Sequence, residues 1–146
     1  MEKVQIVRGD ALPFQSTRDI VSAERRAALP EAELNTDART YFPGSSHDPQ
    51  LFEVDLPPFT LIAPHAHEVD QIMYVVAGSL AFGNQVCPAG SAAFIKGRTL
   101  YGFAVGAEGA RFLNFRPTAD RSHILQHEFL AQRDSGSTAP TGDATA

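Results

Sequence analysis

The sequence predicts an all-β sandwich or barrel, and three observations carry that reading. From Leu51 onward short apolar stretches recur, LFEVDL, FTLIA, QIMYVVA, SLAFG, SAAFI, YGFAV and ARFLNF, separated by turns bearing Pro, Gly or Asn. Their β-branched and aromatic residues suit a pleated, half-buried surface. None of them is long enough for a helix to be the better assignment. At 146 residues and 43% hydrophobic content, the chain carries apolar material for one core and little room for a second domain.

Taken in order, MEKVQIV reads as a strand free to add to a partner's sheet, which fits a homodimer. Ser16 to Leu29 opens with Ser-x-x-Asp, runs through the helix formers AERRAAL and meets Pro30, so one short surface helix is predicted there. Residues 1–40 thus form an N-terminal strand-and-helix extension, and residues 41–118 the barrel. Past Pro117, Asp120 can cap HILQHEFLAQR, whose Ile124, Leu125, Phe129 and Leu130 make one apolar face. Residues 119–133 are therefore predicted as a C-terminal helix packed on the barrel. Residues 134–146 are small, polar and Pro/Gly-containing, too poor in apolar surface to offset their ordering entropy, and are predicted as a loose tail.

The formal net charge of −5 is spread without basic runs, which argues against nucleic acid and anionic membrane surfaces as partners. Cys87 is the single cysteine, so an intramolecular disulfide, a thiolate cage and a CxxC redox motif are all excluded, and a reducing, cytoplasmic setting is expected. The first residues lack the apolar core of a signal peptide, and no apolar run reaches the length of about 18 residues that spans a bilayer.

The chemistry concentrates in PHAHEVDQIMYVVAGSL. In an extended strand His65 and His67, two apart, project to the same side, so two imidazoles converge. Continuing the alternation, Gln71, Met73 and Val75 share one face of the next strand, and Ile72, Tyr74 and Val76 the other. Imidazole nitrogen is the commonest side-chain donor for first-row divalent metals, and a Gln carbonyl oxygen can complete such a shell without adding charge.

Here the sequence resembles the cupin superfamily, whose first motif is HxH, three or four residues, Glu, six residues, Gly. His65, His67 and Gly78 match in register, with Gln71 where the family usually has Glu. The second motif, PxG, an apolar strand, then His, is matched in part by Pro88, Gly90 and SAAFI, with Tyr101 near the place of the histidine. The resemblance covers roughly Leu51 to Phe115 and implies a cupin double-stranded β-helix, a jelly-roll barrel, holding a divalent ion (Fe, Zn, Mn or Ni) at His65, His67 and Gln71. A neutral phenol is a poor ligand, so Tyr101 either completes the shell or serves catalysis by hydrogen-bonding substrate. The pair His123 and His127, four apart on the expected helix, is the other source of a ligand.

The resemblance implies an enzyme, a dioxygenase, cyclase, isomerase or lyase acting on a small oxygenated organic molecule; the alternative is a binding or sensing barrel with a weakened or lost metal site. Met73, Phe94, Phe103 and Asn114 are expected to line the cavity, and Phe82, Phe112 and Phe115 to fill the core. Glu68 is a second, weaker candidate beside Tyr101 for proton transfer, and His47 is expected to be an exposed loop residue.

Overall fold

The computed structural model describes residues 3–134, so the tail expected at 134–146 lies outside the described residues apart from Asp134. Nine strands form one sheet in which every pairing is antiparallel: β1 (Gln15–Ser16), β2 (Asp37–Phe42), β3 (Gln50–Leu56), β4 (Leu61–Ala66), β5 (Gln71–Phe82), β6 (Gln85–Pro88), β7 (Ala92–Ile95), β8 (Tyr101–Arg116) and β9 (Ile124–Leu125). The fold is the expected all-β jelly roll. Its organiser is β8, whose 16 residues pair with β4 at one end, with β3 at the other, and with β5 on the opposite edge.

Side-chain alternation decides what each strand buries. Along β5, Gln71, Met73 and Val75 are buried while Ile72, Tyr74 and Val76 are more than two-fifths exposed, which is the predicted two-faced pattern. The inward residues join Leu56, Ile62, Leu80, Ile95, Phe103, Val105, Ala110 and Phe112 in one core cluster. On β8 the parity changes midway: Phe103 and Val105 point in, then Ala110, Phe112, Asn114 and Arg116 do so. Two sequence expectations are corrected on the outer face. Phe115 is 39% exposed and Phe94, on β7 beside Ile72, is 66% exposed, so both lie on the outer face and Phe94 is not among the residues lining the cavity beside the histidines.

The helix expected from Ser16 to Leu29 is two short helices, α1 (Thr17–Ile20) and α2 (Ala23–Ala28), and a further one, α3 (Glu31–Leu34), follows Pro30. Ser22, not Ser16, supplies a side-chain cap, accepting from the Arg25 amide at 3.1 Å. Val4 to Val7 form no strand within the chain; Val4 and Ile6 are exposed, and the following turn is held where Arg39 donates to the carbonyls of Gly9 and Leu12. The C-terminal helix, α4 (Gln126–Asp134), starts five residues later than a cap at Asp120 would have started it. Residues 117–123 instead run as irregular chain, and β9 pairs with β4 before the helix begins. Buried Phe129 packs with Ala66, Ile124 and Leu100 and seats α4, a burial worth about 2–3 kcal/mol.

Two glycines show how closely the strands approach. Gly78 has φ +70°, and a Cβ there would lie 1.9 Å from the Gly109 carbonyl oxygen on β8, whereas Gly83, at φ +58° in the two-residue hairpin to β6, faces open space. Gly78→Ala is therefore expected to lose roughly 3 kcal/mol or more in urea unfolding, and Gly83→Ala only about 1–2 kcal/mol; equal losses would contradict the close approach.

Candidate metal centre

The site is assembled where β4 ends. His65 is opposite Tyr101 of β8 and opposite Leu125 of β9, so strand register alone brings both neighbours to it. His65 and His67 are both buried, and their ring centroids are 4.9 Å apart. The His123 ring stacks on His65 at 4.5 Å, and ligand-capable atoms of His65, His67 and His123 all lie within 4.8 Å of one another. His127, expected to share a helix face with His123, is exposed on α4: because the chain from Pro117 to His123 is not helical, the two histidines do not act as a pair.

Main-chain bonds fix how two of these rings present their nitrogens. His65 Nδ1 bonds to the Ala63 carbonyl at 2.8 Å, and His67 Nδ1 to the Ser122 carbonyl at 2.5 Å. A carbonyl only accepts, so each Nδ1 carries the hydrogen, and a neutral ring then keeps its lone pair on Nε2. Neutrality follows from position. Burial and the neighbouring His123 lower His65 to about 4, and burial with the Arg116 guanidinium lowers His67 to about 2. The 4.0 Å approach of His67 to Asp120 is consequently no ion pair at neutral pH.

The segment carrying Ser122 and His123 is tied down by a buried polar network. Arg116 donates to Asp120 Oδ2 at 2.9 Å, to the Asp120 carbonyl at 3.1 Å and to Asn114 Oδ1 at 3.2 Å, and Asp120 Oδ1 accepts the Ser122 amide. Both ends of the Arg116–Asp120 pair are 6% exposed. Gln71 joins the same network: its Oε1 accepts from Asn114 at 2.7 Å, and its Nε2 donates to the Tyr101 hydroxyl at 2.9 Å. Burial raises Tyr101 to about 12, so it stays a phenol whose own hydrogen remains available to an acceptor in the cavity. Glu68 is half exposed and bonded to Arg98, which removes it from the site. Arg116 was legible only by carrying the inward parity of Phe112 and Asn114 one step further; Glu33, buried on α3 with Oε2 3.5 Å from His123 Nε2, gave no sequence signal beyond being one acid in a polar helix.

A cavity of about 560 Å³ opens beside the histidines. Phe52, Val54, Leu56, Ile62, Phe103 and Phe112 form its apolar wall, His65, His67, Tyr101, Asn114 and His123 its polar end, and α1, α2 and the residue that follows each line it through Ile20, Val21, Arg25 and Leu29. Of the expected lining residues, Phe103 and Asn114 are there, and Met73 is instead wholly buried in the core cluster.

This fold is that of the cupins. Similar solved structures are a cupin-like protein from Ralstonia eutropha (15% identity, 92% of this chain and 86% of that one, TM-score 0.63), the polyketide cyclase RemF from Streptomyces resistomycificus (21%, 89% and 93%, TM-score 0.61) and an RmlC-like cupin from Shewanella frigidimarina (16%, 84% and 95%, TM-score 0.57). No family model matches the chain, and no curated protein matches it.

The donor set fits a divalent first-row ion: neutral imidazoles with free lone pairs, ringed by a polar network and open to a cavity on one side. Two measurements check the electrostatics. Since His65 and His67 bind protons less readily folded than unfolded, stability is constant above the unfolded value near 6.5 and falls as pH drops from there toward about 4 for His65 and about 2 for His67. The slope in urea unfolding should reach up to about 1.4 kcal/mol per pH unit per histidine and should flatten in His67→Gln; an unchanged slope in that variant would count against a buried neutral ring. Arg116→Met leaves the Asp120 carboxylate buried alone and should cost about 3–5 kcal/mol, with part regained by adding Asp120→Asn; a loss below about 1 kcal/mol would show the pair to be unimportant.

Proposed function

We propose that the protein is a metal-dependent enzyme that acts on a small oxygenated organic molecule, with His65, His67 and His123 holding the ion. The observation that carries this reading is the convergence of three imidazoles at the polar end of a largely apolar cavity large enough for a drug-sized molecule. When bound, the ion supplies Lewis acidity toward a substrate oxygen, which suits dioxygenase, cyclase, isomerase or lyase chemistry according to the metal, Fe, Zn, Mn or Ni. A polyketide cyclase is among the proteins that share the fold, so enzyme chemistry is within its reach.

The chain's own residues do the rest. Phe103, Phe112 and their apolar neighbours take the hydrocarbon part of the substrate and exclude water. Tyr101, held by Gln71, donates its hydrogen to an oxygen placed beside the histidines. Gln71 acts mainly through that contact, because its carbonyl oxygen already accepts from Asn114 and stands 3.5 Å from the Arg116 guanidinium. Asn114 in turn is fixed by Arg116, so the polar end is held before substrate arrives.

Elemental analysis of the purified full chain is expected to find about one divalent ion per chain, lost in His65→Ala, His67→Ala and His123→Ala while circular dichroism stays that of the wild type. A wild-type protein that takes up no ion when offered Fe, Zn, Mn or Ni, yet retains a small ligand, would overturn the reading in favour of a binding module.

A further inference from the structure

The barrel strand that carries Gln71 contributes no negative charge to this centre, yet a carboxylate reaches it from another part of the chain. Glu33 sits on α3, in the N-terminal extension, and is 93% buried by its 7% exposure. Its place is set by the main chain, since its amide donates to the Pro30 carbonyl at 3.0 Å and its carbonyl accepts the Thr36 hydroxyl at 2.8 Å. Glu33 Oε2 lies 3.5 Å from His123 Nε2, and both atoms are buried without a hydrogen-bond partner among the described residues. A buried carboxylate oxygen and a buried ring nitrogen left facing each other are costly unless they bond, and closing the gap to a normal hydrogen bond takes only about half an ångström. The same extension grips His123 a second time, for Arg25 on α2 donates to the His123 carbonyl at 2.8 Å.

We propose that Glu33 is the positioning carboxylate of the metal centre: it accepts the Nε2 hydrogen of His123, orients that ring, and leaves its lone pair on Nδ1 for the ion. The inference rests on the three-histidine reading above and deepens it. It makes the N-terminal extension part of the centre, with α3 restoring from outside the barrel the negative charge that Gln71 does not provide. A carboxylate bonded to a ligating imidazole raises its basicity and holds its tautomer, and losing such a partner typically weakens metal affinity 10- to 100-fold.

The test is Co(II) titration of the full chain, followed by visible absorption, for the wild type, Glu33→Ala, Glu33→Gln and the exposed control Glu31→Gln. Glu33→Ala should bind Co(II) about 10- to 100-fold more weakly with an altered visible band. Glu33→Gln keeps the shape and an acceptor oxygen but not the charge, so it should fold as the wild type does and lose less. Wild-type affinity and spectrum in Glu33→Ala, or an equal loss in Glu31→Gln, would overturn the role of Glu33 while leaving the three-histidine centre standing. No Co(II) binding by the wild type would overturn the centre and this role with it.

Discussion

The arrangement depends on buried imidazoles that cannot afford a charge and so must be neutral, with one nitrogen committed to the main chain. Ala63 and Ser122 each take an Nδ1 hydrogen, from His65 and His67 respectively. What remains to each ring is one lone pair, and strand geometry turns the two rings toward the same place. The second of these bonds has a structural consequence. Ser122 can offer its carbonyl only if residues 117–123 leave β8 and return to the edge of β4 where β9 pairs, and the Arg116–Asp120 pair holds them in that path. One segment thereby both fixes His67 and delivers His123.

A barrel strand can place side chains only at alternate positions on its inner face, which limits how many polar groups a small barrel can aim at one point. This chain completes its centre with segments that are not barrel strands. The irregular stretch after β8 brings His123, and the helical extension before β2 brings Arg25 and Glu33 to it. Residues of the same extension also line the cavity.

Much of the fold was legible because alternation is a local property. The β5 pattern, the shared face of His65 and His67, and the glycine at 78 could each be read from a few neighbouring residues, and Gly78 has a steric reason to be there in the Gly109 carbonyl beside it. Features set by distant contacts were not legible. The parity change within β8 sends Phe115 outward, and the pairing of β7 with β5 does the same for Phe94, although both look like core residues in sequence. Asp120 does make a capping-type bond, its Oδ1 accepting the Ser122 amide, but the chain that follows pairs with β4 as β9, and the helix begins only at Gln126. His123 and His127 suggested one helical face, and β9, lying between His123 and the start of α4, separates them. Glu33 is indistinguishable in sequence from its exposed neighbour Glu31 until α3 is laid against β4.

The most direct measurement of the account is long-range proton–nitrogen NMR of the histidine rings in metal-free protein at neutral pH, repeated after one equivalent of Zn(II). His65 and His67 should both be neutral with the hydrogen on Nδ1, and the Nε2 resonances of both should move when zinc is added. Either ring found protonated on Nε2, or nitrogen resonances indifferent to zinc, would contradict it.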